Sequence, residues 1–238
     1  MPTTTRIEVG RLGGRTVCTL SGGAVEPRRV DAPDGRVRIA LVATVALLLA
    51  EDDVRIEVVA GAGVDLEIVE IAGTVAYDMR GGSARWEVDV RVDDGGFLAW
   101  PGLPFVVADG ADVTRSTTVA LAVGARAVLR ETLVFGRSGQ EGGDLVASTA
   151  VSLAGRPLLV EELDLRRGPR TEYAVLGTAR CLDAVTVLGG RVWEDESGVL
   201  QLDGAGSVDR RLLESLHDSD LEVRCRCAIA AMRREIGA

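Results

Sequence analysis

Glu131 is the residue whose setting speaks most directly of chemistry. It lies in Ala127-Val128-Leu129-Arg130-Glu131-Thr132-Leu133-Val134-Phe135, where the other positions on its face are Ala127, Leu129, Leu133 and Phe135. A carboxylate among apolar neighbours must be paired, hydrated or raised in pKa. Two readings follow: a structural ion pair, with Arg137 as the candidate cation, or a carboxylate lining a hydrated passage. Glu161 and Glu162 interrupt Leu158-Leu159-Val160-Glu161-Glu162-Leu163 and must point to opposite faces of a strand, so at least one can face inward. Asp52 and Asp53, with Glu51, open a strand at Val54, a setting typical of a solvated turn.

Other chemistries are poorly served. The single histidine, His217, excludes a multi-histidine metal site and reads as a surface or helix-end residue. There is no phosphate-binding GxxxxGK[ST] loop, no GxSxG elbow, no HExxH helix and no CxxC pair. Cys225 and Cys227 would point the same way on an extended segment, and soft thiolates can hold zinc or nickel. Two thiols do not fill a tetrahedral site, and Cys18 and Cys181 are distant in sequence, so these read as reduced thiols. A hydrolytic or nucleotide-consuming enzyme is not indicated.

The elements that must position these groups are strands. Val54-Arg55-Ile56-Glu57-Val58, Val64 to Ile68 and Trp86 to Val92 alternate apolar and polar residues, which gives each run one core face and one wet face. Glycine-rich turns separate them, from Gly61-Ala62-Gly63 through Asp94-Gly95-Gly96 to Gly189-Gly190. Strands recur between Val37 and Leu202 as in a sandwich or β-solenoid, without a strict sequence repeat. Aromatics are only 3% of the chain, so Val, Leu, Ile and Ala must fill the core. The sequence predicts a helix at Ser207–Leu216 with Ser207 as N-cap, a strand through Leu221, Val223, Cys225, Cys227 and Ile229, and a short helix over Ala230–Ile236. No linker or low-complexity tract divides residues 1–238, which read as one mainly all-β domain with one or two short C-terminal helices.

A net charge of −9 argues against nucleic acid or an anionic membrane surface as partner. Four cysteines make no disulfide framework, the first ten residues carry no apolar signal core, and the longest uncharged run, Ile39 to Ala50, is too short to span a bilayer. The expected compartment is the cytoplasm.

Three segments, in order and at matching spacing, resemble the urease accessory protein UreD (UreH) family. Leu98-Ala99-Trp100-Pro101-Gly102-Leu103-Pro104-Phe105 is similar to its Leu-Glu-Trp-x-Pro-x-Pro segment. Glu131, Gly136, Arg137 and Glu141 fall on its Glu-x-x-x-x-Gly-Arg-x-x-x-Glu segment, and Arg156 to Leu163 looks like its strand ending in an acidic pair. The chain departs from the family in two places. Ala50-Glu51-Asp52 stands where Gly-Gly-Asp is common, which keeps the aspartate and loses the turn glycines. Val69-Glu70-Ile71-Ala72 stands where Thr-Thr-Gln-Ala is frequent, so the resemblance carries no polar-lined path along this strand.

The resemblance implies a two-layer, β-helix-like sandwich and a non-enzymatic maturation factor. Such a factor links apo-urease subunits to UreF and the GTPase UreG, and conducts Ni²⁺ through an internal acidic tunnel. On that reading Asp52, Glu131 and Glu162 are the inward acids along a transient Ni²⁺ path. Trp100, Pro101, Pro104, Gly136, Arg137 and Glu141 carry the motifs, with Arg137 paired to a carboxylate. No cofactor is tightly bound, and GTP enters only through the partner GTPase. Apolar surface is expected at one end of the sheet or on the C-terminal segment, where partners would dock. The rival readings are a β-helical carbohydrate-active enzyme using Glu131 and Glu162, which the scarcity of aromatics disfavours, and a metal-free β-sandwich interaction module.

Overall fold

Alternation decides where the strands form, and a computed structural model, describing residues 3–33 and 35–236, shows how they stack. The chain opens with a hairpin of β1 (Thr3–Leu12) and β2 (Arg15–Ser21), followed by the antiparallel pair β3 (Val25–Val30) and β4 (Arg36–Ala43). It then winds as a coil through β5 (Asp53–Ala60), β6 (Asp65–Glu70), β7 (Thr74–Ala76), β8 (Ala84–Val92), β9 (Phe97–Pro101), β10 (Phe105–Val107), β11 (Asp112–Leu121), β12 (Arg126–Phe135) and β13 (Asp144–Leu153). Successive turns place β5, β8, β11 and β13 side by side in one sheet and β4, β6, β9 and β12 in the other, all in parallel register. This is the expected two-layer, β-solenoid-like architecture.

Antiparallel strands finish both layers. β14 (Arg156–Asp164) closes the first sheet, in the order β14-β13-β11-β8-β5-β1-β2. After a single helical turn, α1 (Arg167–Arg170), the strands β15 (Cys181–Leu188), β16 (Val199–Gln201) and β17 (Gly206–Leu213) complete the second, in the order β16-β17-β15-β12-β9-β6-β4-β3. Because side chains alternate along a strand, the inward rows interleave between the sheets. Ile56, Val58, Val90, Leu66, Leu98 and Leu133 belong to that core, all nearly inaccessible to solvent.

The C-terminal region reverses two sequence expectations. Ser207–Leu216 was expected as a helix, but Gly206–Leu213 is strand β17, paired along its whole length with β15 from Cys181↔Leu213 to Leu188↔Gly206. A waiting neighbour strand outweighs a weak local helix preference. Conversely, the expected strand at Leu221–Ile229 is part of a 16-residue helix, α2 (Leu221–Ile236), which also absorbs the short helix expected from Ala230. Leu221, Cys225, Ala228, Ile229 and Met232 are its buried residues, a spacing of one helical face, while Val223 is exposed. The Ser219 hydroxyl accepts from the Leu221 N–H at 3.1 Å and so satisfies an orphan donor at the helix start.

That face lies on the outer side of the second sheet, against Phe97, Ala99, Val128, Val185 and Val187, and forms a second, smaller core. Arginines fasten it: Arg233 reaches Asp65 and Glu67, and Arg224 reaches the fully buried Asp209 while its guanidinium lies over the Trp193 ring. Alongside, Asp183 is buried beneath α2 and accepts two parallel bonds from Arg130, both 3.0 Å, one from Thr132 and one from Ser219. A buried carboxylate with that many donors is compensated.

Candidate functional site

Parallel register stacks equivalent inward residues into rows across the first sheet. The row Val58–Val90–Val119–Val151 is apolar throughout. Its neighbours are not: Ile56–Val88 continues as Thr117–Thr149, and Val54–Trp86 continues as Arg115–Ala147. The inner face therefore turns polar at β11 and β13. Opposite it, the second sheet contributes the row Trp100–Leu129–Thr186 and, two residues further along β12, Glu131. Between the layers lies a cavity of about 80 Å³, lined by Glu70, Arg115, Thr117, Glu131 and Thr149 among others. A cavity of that size, with charged and hydroxyl groups on its wall, has room for a few waters.

Glu131 is in direct ionic contact with Arg115, whose guanidinium also lies 5.3 Å from the Phe105 ring centre. Burial lowers the Arg115 pKa to about 10, against the raising effect of the charge on Glu70, so Arg115 remains cationic at neutral pH. Its Nε has no hydrogen-bond partner among the described residues, in keeping with a hydrated cavity. Glu70 accepts the Trp100 indole N–H at 2.9 Å and the Leu103 backbone N–H at 2.9 Å. Burial pushes its carboxyl above the ordinary range, and those two donors and Arg115 pull it partly back. Two carboxylates and one guanidinium thus share the interior.

Of the three acids expected along the path, only Glu131 lines this cavity. Its cation is Arg115 rather than Arg137. Asp52 lies in the turn before β5, where it accepts the Leu49 N–H at 2.9 Å. Glu51 there adopts φ +67°, so the turn keeps a left-handed residue without the family's glycines. Glu162 is exposed, and its neighbour Glu161 is the partly buried one, held by two bonds from Arg210 of β17. That pair ties β14 to the opposite sheet.

The motif residues build the frame. Trp100 is buried with its N–H on Glu70, and Pro101 and Pro104 bracket the turn between β9 and β10. Gly136 has φ +79°, and a Cβ there would stand 2.4 Å from the Gln140 carbonyl oxygen. Arg137 makes no ion pair among the described residues; its backbone N–H donates to the Gln140 side chain at 3.0 Å. Glu141 acts through its backbone, accepting from Arg170 at 3.0 Å and donating to Asp109 at 3.1 Å. Cys225 is buried in the small core with its thiol pushed up to about 12 by burial, so it is no thiolate at neutral pH. Cys227 is exposed, and the four cysteines are unbridged. His217 sits in a single 3₁₀ turn, Leu216–Asp218, on the surface.

Sequence reasoning missed Glu70 and Arg115, although parity marks both. Leu66 and Ile68 point inward, and Glu70 is next on that face; Val113, Arg115, Thr117 and Val119 share another. The departure from Thr-Thr-Gln-Ala thus supplies a charged group to the interior.

Among the described residues no three of His, Cys, Asp and Glu come together as a ligand set for a metal ion. Nor is any helix there long and apolar enough to cross a membrane.

Comparison with known proteins meets this geometry. The sequence profile of the UreD urease accessory protein family matches residues 4–233. Urease accessory protein UreD 1 of Streptomyces griseus is 46% identical over 192 residues, covering 80% of this chain and 75% of that protein. Urease accessory protein UreD of Frankia alni is 37% identical, covering 73% of this chain and 64% of its own length, and that of Streptomyces avermitilis is 33% identical, covering 74% and 72%. The chain belongs to the UreD family of urease accessory proteins, and its role lies in urease maturation.

Proposed function

We propose that this chain is a non-enzymatic scaffold that holds apo-urease subunits to UreF and the GTPase UreG and passes Ni²⁺ to urease through the space between its sheets. The observation that carries the reading is a cavity between the sheets into which three charged side chains, Glu70, Arg115 and Glu131, project among largely apolar neighbours. A charged interior costs stability, and nothing in the packing of a plain sandwich calls for it. Nickel is cargo here. Isolated oxygen donors hold Ni²⁺ more weakly than sets of imidazoles or thiolates do, so an ion can step past them. Spaced carboxylates lower the barrier to a divalent ion without trapping it, as acidic rings do in cation pores.

Within the proposal Glu131 acts inside the body, whereas Glu162 would meet an ion only at the surface. Asp52 serves its turn first. Docking surfaces are supplied by exposed apolar side chains, with Val160 on β14, Leu200 on β16, Leu212 on β17 and Val223 on α2. The test is urease activation in cells carrying the wild-type chain, Glu131→Ala or Asp52→Ala, with soluble expression verified. Activation falls with Glu131→Ala and is retained with Asp52→Ala. Full activation by Glu131→Ala removes Glu131 from the path and leaves only the scaffold.

A further inference from the structure

Sheets are normally closed surfaces, because each strand's backbone groups pair with the next. The second sheet has a break. Pairing of β6 with β9 runs through Asp65↔Phe97, Leu66↔Leu98 and Glu67↔Ala99 and stops there, although β6 continues to Glu70 and β9 to Pro101. Pro101 and Pro104 have no N–H with which to extend a ladder. The gap is spanned by a side chain: one Glu70 oxygen takes the Trp100 indole N–H and the other the Leu103 N–H.

Three spaces share lining residues at this point. Outside the sheet, beside α2, is a cleft of about 810 Å³. Inside is the cavity of about 80 Å³, and a further space of about 150 Å³ extends towards Val45 and Leu47. Glu70 lines all three, alone among the described residues. Leu103 and Arg130 are shared by the cleft and the cavity, and Thr74 and Trp86 by the cavity and the further space.

Charge distinguishes Glu70 from Glu131. Glu131 is in direct ionic contact with Arg115, whereas Glu70 makes no ion pair among the described residues, accepts two neutral donors and feels Arg115 only at longer range. Arg130, on the rim, is committed to Asp183. Each Glu70 oxygen accepts one bond and keeps a lone pair. In its ionised form a carboxylate so placed attracts a hydrated divalent cation, and a single carboxylate with no second ligand releases it readily.

We propose that the break between β6 and β9 is a port through the second sheet, and that Glu70 is the group a divalent cation meets as it moves between the outer cleft and the interior. The proposal rests on the conduit reading above and locates its opening. Arg115, held by Glu131, keeps the inner side of the port from becoming a deep anionic trap.

Tryptophan supplies the test, since the chain has only three, Trp86, Trp100 and Trp193. The untagged full chain, with ¹⁵N-labelled indoles, is titrated with paramagnetic Ni²⁺. An ion at Glu70 lies next to the Trp100 N–H, while Trp193 lies beneath Arg224 against the small core under α2 and lines none of the three spaces. The Trp100 resonance is expected to reach half intensity at about tenfold lower Ni²⁺ than that of Trp193. Glu70→Gln abolishes this selectivity and Glu70→Asp restores part of it. Parallel broadening of Trp100 and Trp193 in the wild-type chain overturns the port, as does unchanged selectivity in Glu70→Gln. The wild-type titration decides even where the glutamine variant fails to fold. Filling the interior with Thr117→Phe and measuring nickel in co-expressed urease separates the two readings. If nickel falls but Trp100 shows no selectivity, the port is wrong and the conduit stands. If Trp100 responds through Glu70 but nickel is unaffected by the filled interior, Glu70 binds cations and the conduit fails.

Discussion

Replacing Arg115 with methionine should destabilise the fold in a way that depends on its two carboxylate neighbours. The methionine keeps most of the apolar stem and removes the charge. Glu131 then loses its direct partner, and Glu70 loses the cation that offsets its burial. The Arg115 and Glu131 side chains are 16% and 27% exposed, so the pair lies between a surface bridge, worth up to about 1 kcal/mol, and a sealed one, whose breakage costs about 3–5 kcal/mol. We expect a loss of about 2–3 kcal/mol at pH 7. For a chain of this size that lowers Tm by roughly 5–10 °C. Arg115→Met combined with Glu131→Leu should recover the part of the loss that comes from Glu131, because only Glu70 is then left without its nearby cation. The pH dependence has a definite sign. A carboxyl raised above its unfolded pKa, as burial raises Glu70, contributes most below the carboxylate range, and that contribution is lost as pH rises through the folded value. The Arg115→Met deficit should therefore shrink on acidification from pH 7 towards the carboxylate range. Thermal and urea unfolding of the wild type, both single variants and the double variant at two pH values make the measurement. Additive single effects, or a deficit that grows on acidification, would refute the electrostatic account of the interior.

Other outcomes follow from single sites. Arg170→Ala removes a buried guanidinium that donates to the carbonyls of Glu141, Gly142, Gly143 and Leu165 and stacks on Phe135, and should cost about 3–5 kcal/mol in chemical denaturation. Glu51→Gly should stabilise by about 0.5–1 kcal/mol, because glycine relieves the left-handed backbone at that turn. Met232→Ala should cost about 2–4 kcal/mol while Val223→Ala stays within about 0.5 kcal/mol, a contrast expected of a helix with one buried face. Equal costs at the two positions would argue against α2 as described.

The coil of strands was legible because Val54–Val58 and Trp86–Val92 alternate over enough residues to fix which face is inward. The ends were not. Leu221 to Ile229 satisfies period two and the helical period together, and only the burial of Ala228 and Met232 with exposure of Val223 separates them. Ser207–Leu216 reads as a helix until β15 offers eight residues of pairing to Gly206–Leu213. At the site, Glu131 was visible as an acid on an apolar face, but its partner was not, because Arg115 is 16 positions away on the opposite sheet. Glu70 has the parity of Leu66 and Ile68 but terminates its strand, where an acid reads as the start of a solvated turn. The family motif marked Trp100, Pro101 and Pro104 without showing that the three border a break in the second sheet.

Nickel content per urease active site, measured after co-expression with the accessory proteins, tests the central claim most directly when the interior is filled by Thr149→Phe. Thr149 lines the cavity from the inner face of the first sheet, whereas Val160 on the neighbouring strand is exposed on the outer face. The account predicts that the variant still co-purifies with urease at wild-type stoichiometry while nickel falls to a small fraction of the wild-type content. Full nickel loading by a variant whose cavity is shown to be filled would contradict it.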